Sequence, residues 1–272
     1  MKKNYEKFIN IREVIRKKNP ALAKMMPGFV ISFMKRLIHE DELNRIIYDY
    51  RDRYGLDFVR SVLEDMKVTY SMDGLERVPI DGRYIFASNH PLGGFDGLVL
   101  MDAIGTAFPK IRFIVNDILL NLKNLEPIFI PVNKHGRQSV EYARKIDETY
   151  SSDAQMLYFP AGLCSRKIKG NINDLKWNKN FIQKAVLYKR DVVPVYFDGR
   201  NSNFFYNLAN LRKKLGIKAN LEMTFLVDEF FKQKGQHVRL KIGMPILYTT
   251  FDKSQNNNYW ADVVRERVYS MK

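Results

Sequence analysis

The hydrophobic patterning of this chain predicts an α/β fold, with a mixed, largely parallel sheet flanked by helices and an N-terminal helical extension. Three observations carry that expectation. From Val68 onward, short runs rich in β-branched and aromatic residues alternate with longer amphipathic stretches, the order that builds crossover units. Before that point apolar residues recur only at helical spacing. Several of the short runs also end in loops of proline, glycine and polar residues, where an open α/β sheet holds its reactive groups.

In chain order, residues 1–66 read as helical. Ile11, Val14 and Ile15, then Leu22, Met25 and Met26, share one spacing; Leu43, Ile46, Ile47 and Tyr50 repeat it, as do Phe58, Val59, Val62 and Leu63. Pro20 and Pro27 punctuate the first part. An apolar stretch over 27–34 runs into Lys35 and Arg36, with Lys17, Lys18 and Lys24 upstream. Such a basic, apolar helical region either lies on an anionic membrane or packs on the rest of the protein with its lysines in water. Strands are expected at 67–70, 84–88, 111–115, 128–132, 156–159, 192–197, 222–226 and 238–242. Helices are expected near 97–106, 138–151, 177–190, 203–215 and 258–270. The division is thus a helical extension over 1–66 and an α/β domain over 67–272. Trp177, Phe181 and Tyr188 fall near helical spacing and read as core.

With 272 residues, 46% of them hydrophobic, the chain can bury a substantial core. Its apolar stretches fall well short of the ~20 residues a bilayer-spanning helix needs. The segment from Met1 to Glu6 lacks the apolar core of a signal peptide, so a cytoplasmic location is expected. Cys164 is the only cysteine, which excludes an internal disulfide and argues against a cysteine zinc site. His39, His90, His135 and His237 show no metal-ligand spacing, and no metal is expected. The net charge of +15 suits a polyanion: nucleic acid, an anionic lipid surface or an acidic carrier protein. No helix-turn-helix, zinc-finger or RNA-binding aromatic signature is present, so nucleic acid is not the expected partner.

Four blocks carry the chemistry. In the first, the run Tyr84-Ile85-Phe86-Ala87 ends in Ser88-Asn89-His90-Pro91-Leu92-Gly93-Gly94-Phe95-Asp96-Gly97. A histidine with a carboxylate a few residues on is a general base and the group that orients its ring. The bland alternative is a turn that holds a histidine and a helix-capping aspartate. The second block runs from Pro127 through Ile130-Pro131-Val132 to Asn133-Lys134-His135-Gly136-Arg137. The third is Leu157-Tyr158-Phe159-Pro160-Ala161-Gly162-Leu163-Cys164-Ser165-Arg166-Lys167. Its glycine permits close backbone approach, and free N–H groups beside arginine suit an anion. The fourth, Val192-Val193-Pro194-Val195-Tyr196-Phe197-Asp198-Gly199-Arg200, is again an apolar strand ending in a polar turn.

Together, over residues 84–202, these blocks resemble the glycerolipid, or lysophosphatidate-type, acyltransferases, most closely their bacterial hemolysin-like branch. The resemblance implies direct acyl transfer. His90 removes a proton from an acceptor hydroxyl or amine, Asp96 orients the ring, and the acceptor attacks an acyl thioester. The donor is acyl-carrier protein or acyl-coenzyme A, with no resident cofactor or metal. The resemblance also implies a lysolipid or N-acylated amino-acid acceptor, held by Gly162, Ser165, Arg166 and Arg137. Peripheral attachment to the inner, anionic face of the membrane completes the expectation.

The chain departs from the family pattern in places. Five residues, Pro91 to Phe95, separate His90 from Asp96 where the common spacing leaves four. Ala161 stands where many members have glutamate, and the arginine comes one residue later, after Ser165. These changes favour a carboxylate-bearing acceptor, an acylated amino acid or related lysolipid, over lysophosphatidate. They also leave room for a degenerate fold that serves only as a membrane-binding scaffold. A Cys164 nucleophile served by His90 or His135 is the weaker reading, because its neighbours Leu163 and Ser165 form no cysteine-hydrolase signature and His135 reads as a solvated loop residue.

Overall fold

The computed structural model describes residues 7–115, 122–131 and 139–272. Five helices come first: α1 (Ile11–Lys18), α2 (Pro20–Met25), α3 (Gly28–Leu37), α4 (Glu40–Asp49) and α5 (Leu56–Asp65). The α/β part follows as β1 (Thr69–Asp73), β2 (Tyr84–Ser88), α6 (Gly94–Gly105), β3 (Ile111–Val115), β4 (Phe129–Pro131), α7 (Ser139–Ser151) and β5 (Gln155–Tyr158). Then come β6 (Arg166–Ile168), β7 (Asn171–Asn173), α8 (Asn180–Tyr188), β8 (Asp191–Asp198), α9 (Asn203–Lys214), α10 (Leu226–Phe231), β9 (His237–Ile242) and α11 (Asn257–Tyr269).

Seven strands form one sheet in the order β1-β9-β8-β2-β5-β3-β4. All neighbours are parallel except β8 and β9. This is the mixed, largely parallel α/β sheet that the alternation of runs predicts. β2 sits at its centre and is buried on both faces, as its unbroken apolar run requires. Successive side chains part to opposite sides. Tyr84 and Phe86 join a core built with α4, α5 and α6, whereas Ile85 and Ala87 join a second core under α8 and α11. Val193, Val195 and Phe197 of β8 face the first core, and Val192 and Tyr196 the second.

The helical extension does not stand apart from this core. Phe58, Val59, Val62 and Leu63 of α5 pack in the same apolar cluster as Phe86, Val99 and Leu100. The change at residue 66 is one of secondary structure, and the packing runs across it.

The structure differs from the sequence expectation at 221–231, a 3-10 turn followed by the unexpected helix α10, and at 166–173. Residues 222–226 are not a strand: Leu221–Phe225 form a 3-10 turn. Glu222 is buried there between Arg166 and Arg212, and that ion-pair network overrides the local preference. A β6–β7 hairpin, not expected at all, closes through Lys169 and Gly170, with φ of 49° and 85°. Both turn residues adopt the left-handed conformation of a two-residue hairpin, which lysine rarely does and so signals poorly.

Candidate active site

The loop after β2 is built around its histidine. β2 ends at Ser88, and Asn89 clamps the loop to β8 by a pair of hydrogen bonds. Its Nδ2 donates to the Phe197 carbonyl at 2.9 Å, and the Phe197 N–H donates to its Oδ1 at 2.7 Å. His90 follows, and the chain turns at Gly93, whose φ is 78°. A side chain there would press on the Cys164 sulfur at 3.3 Å, so glycine serves both the turn and the packing. α6 then starts at Gly94 and brings Asp96, in its first turn, back onto the ring. The left-handed turn absorbs the extra residue between His90 and Asp96.

His90 Nδ1 lies 3.0 Å from Asp96 Oδ1, and Asp96 Oδ2 accepts the Leu92 N–H at 2.8 Å. Asp96 is fully buried and receives a donor on each oxygen, so it acts as an acceptor. The proton of a neutral His90 ring therefore sits on Nδ1, which leaves Nε2 as the basic atom. The ring stacks on Phe159 with centroids 4.0 Å apart, and its side chain is 15% exposed. Burial alone disfavours the charged ring, but the charge and hydrogen bond of Asp96, together with Asp174, outweigh it. The net shift of the His90 pKa is upward from 6.5.

Asp174, which the sequence reading missed, holds the other side of the loop. Its Oδ1 accepts the His90 backbone N–H at 3.2 Å and the Ser165 hydroxyl at 2.5 Å, and its Oδ2 accepts Trp177 Nε1 at 2.8 Å. Burial pushes its carboxyl upward, against these donors. The Ser165 N–H donates to the His90 carbonyl at 2.8 Å, which ties the third sequence block to the first. The local signal was an aspartate three residues before a core tryptophan; the partners come from distant segments.

The expected binding residues fall in different places. Gly162 is exposed, with φ of 64° and open space beside it. Ser165 is buried and spends its hydroxyl on Asp174. Arg166 is only 2% exposed. Its guanidinium, expected to face an anion, instead donates to the Cys164 carbonyl at 2.7 Å and to Glu222 Oε1 at 3.0 Å. Arg212 donates to the same Glu222 from α9, at 2.5 Å and 3.0 Å. Burial pushes Glu222 up, but its two arginines pull it below the usual carboxylate range. Arg137 and His135 lie outside the described residues. Cys164 is buried against Phe205 and Tyr206, and burial pushes its thiol well up, the wrong direction for a nucleophile.

Among the described residues no cluster of histidine, cysteine and carboxylates has metal-binding geometry. Two surface cavities of about 220 and 240 Å³, one near Tyr54 and Pro127 and the other near Asp73 and Met271, hold no residue of the His90 loop. The arrangement at His90 suits a general base: among the described residues Nδ1 is held by Asp96, Nε2 has no hydrogen-bond partner, and Phe159 forms an aromatic wall.

The model of a family described as Acyltransferase matches residues 13–272. A lyso-glycine lipid O-acyltransferase of Bacteroides thetaiotaomicron is 44% identical over 97% of each chain. A protein of the same name from Phocaeicola vulgatus is 42% identical over 97% of this chain and 95% of its own. The crystal structure of the 1-acyl-sn-glycerophosphate acyltransferase of Thermotoga maritima shares the fold, with a TM-score of 0.50, 17% identity, and coverage of 88% of this chain and 95% of its own.

Proposed function

This chain belongs to the acyltransferase family, and from that premise we propose that it moves a fatty acyl group from a thioester donor to the hydroxyl of a lyso-glycine lipid. The reading is supported by two near-full-length relatives bearing that name. The observation that carries the mechanism is the His90–Asp96 pair, with Nδ1 held at 3.0 Å and Nε2 free.

Nε2 of His90 takes the acceptor's hydroxyl proton as its oxygen attacks the thioester carbonyl. The buried Asp96 carboxylate stabilises the imidazolium that forms. The C–S bond then breaks, the acyl group stays on the acceptor oxygen, and the leaving thiol recovers the proton from His90. The donor is acyl-carrier protein or acyl-coenzyme A, and the reaction uses no metal or resident cofactor. Arg166 serves as a positioning residue that stiffens the Ser165 loop, and the exposed Gly162 of the same loop leaves open space for the acceptor.

The protein works at the inner face of the membrane. Met25, Phe29 and Phe33 stand exposed on α2 and α3 beside Lys24, Lys35 and Arg36, the pattern of a helix lying in the interface. Purified protein given an acyl thioester should acylate lyso-glycine lipid and leave lysophosphatidate largely untouched. The reverse preference would overturn the acceptor assignment.

A further inference from the structure

We infer that the outer side of α9 and the tip of the β6–β7 hairpin form a second membrane-contact surface, set directly over the catalytic loop, that docks on anionic lipid. The inference rests on the lipid-acyltransferase reading and adds a site to it that is remote in sequence from the N-terminal helices.

α9 is apolar on two sides. Its inner side carries Phe205 and Tyr206, which pack on Cys164, and Arg212, which reaches Glu222 and through it Arg166. At its start, Asn201 Nδ2 donates to the Pro91 carbonyl at 3.0 Å, next to His90. The other side is more open: there Phe204 meets Phe225 edge-on, and Leu211 stands exposed. Phe204, Leu208, Leu211 and Leu215 fall at i, i+4, i+7 and i+11, a single stripe along the helix. Phe204, Leu211 and Leu215 are 51%, 53% and 64% exposed. Ile217 and Leu221, just beyond the helix, are also exposed, as is Ile168 of the hairpin, whose Lys167 carbonyl accepts Asn210 Nδ2 on another flank of α9.

The segments that carry this ridge are basic. Residues 161–173 and 199–221 contain no aspartate or glutamate. They contribute Lys167, Lys169, Arg200, Lys213, Lys214 and Lys218, and among the described residues none of these six makes an ion pair. An apolar stripe bordered by unpaired lysines matches an anionic bilayer: the stripe enters the acyl boundary while the lysine stems reach back to the headgroups. An acidic carrier protein would meet the charge, but lysine is depleted at the centres of protein interfaces, whereas a bilayer takes up both the apolar stripe and the lysines along it. The surface is also tied to the N-terminal helices through α10. His39 Nε2 lies 3.0 Å from Asp228, and Phe225, just before α10, packs edge-on against Phe204 with centroids 4.9 Å apart. The acceptor could then pass from the bilayer to His90 across one helix.

The test uses the full chain with Leu211→Glu and Leu215→Glu combined, against Phe29→Glu on α3. Binding is read by co-sedimentation with phosphatidylcholine vesicles, with and without phosphatidylglycerol. Turnover is read on vesicle-borne and on detergent-dispersed acceptor. The α9 variant should lose on the order of tenfold or more in affinity for the anionic vesicles. Its turnover should fall on the vesicle-borne acceptor and hold on the dispersed one. Wild-type vesicle binding by the α9 variant overturns the proposal, and so does normal vesicle binding with a raised KM for the acyl-carrier donor, which would make this a protein-docking face. Should the double variant fail to fold, Leu215→Trp decides the matter: its emission should shift to the blue and be quenched by brominated lipid, and unchanged emission overturns the proposal. A wild-type protein inactive on every acceptor would count against the acyl-transfer reading alone, since the vesicle arm judges the surface without turnover.

Discussion

Asp96 acts on His90 twice, by orienting the ring and by favouring its protonated form. On the proposed mechanism the raised pKa of His90 sets an acid limit on catalysis, because the ring must be neutral to accept a proton. Activity should rise with pH through an apparent pKa above 6.5, the ordinary histidine value. The stability linkage has the opposite sign. His90's contribution to folding is fully present below its unfolded value and is lost as pH rises through the raised folded one. Asp96→Asn should move the acid limb of the rate profile downward as well as lower the plateau; a limb that stays in place would separate Asp96 from the titration. Cys164 provides the control. Its thiol is buried and held in the neutral form, so Cys164→Ala should keep turnover while costing about 1–2 kcal/mol for the small cavity it leaves. A dead but folded Cys164→Ala would return the thiol to the mechanism.

The loop around His90 is held by elements whose partners the sequence does not advertise. Glu222 lies between Arg166 of β6 and Arg212 of α9, and removing its charge strands two buried cations. Glu222→Gln should cost about 3 kcal/mol or more, read as a lower midpoint in chemical denaturation; an unchanged midpoint would mean that the arginines find water instead. Asp174→Asn sets an amide donor against one of the three donors that Asp174 accepts, and should lower both stability, by about 1–3 kcal/mol, and kcat. What was legible and what was not divide along the same line. β2 and β3 fall at 84–88 and 111–115 as expected, because an apolar run between polar breaks identifies a buried strand without knowledge of its neighbours. The pairing of His90 with Asp96 was legible because the two are six residues apart, on the loop after β2 and in the first turn of α6. Residues 222–226 look like a strand until Arg166 and Arg212 are brought to Glu222. The burial of Arg166 was hidden for the same reason: a guanidinium's partner 56 residues away leaves no local trace.

For the molecule as a whole, the N-terminal helices are part of the core. Phe58 and Val62 of α5 share a cluster with Phe86 and Val99, so a fragment of residues 67–272 should lack a stable fold. Circular dichroism and solubility of that fragment check this, and a cooperative melt would show that the extension is a separate unit. The net charge of +15 belongs to the whole surface. Vesicle binding should weaken as salt rises, since attraction to an anionic surface is screened over about 10 Å at 0.1 M. Both expectations bear on where the enzyme works; the proposed chemistry depends on His90. Wild-type protein and His90→Ala, with the same thioester donor and lyso-glycine lipid, can be compared by mass spectrometry of the acylated product. The wild type should form the product, and His90→Ala should form it on the order of 10²–10⁴-fold more slowly with an unchanged melting midpoint. Product formed at the wild-type rate by folded His90→Ala would contradict the role of His90 as the base.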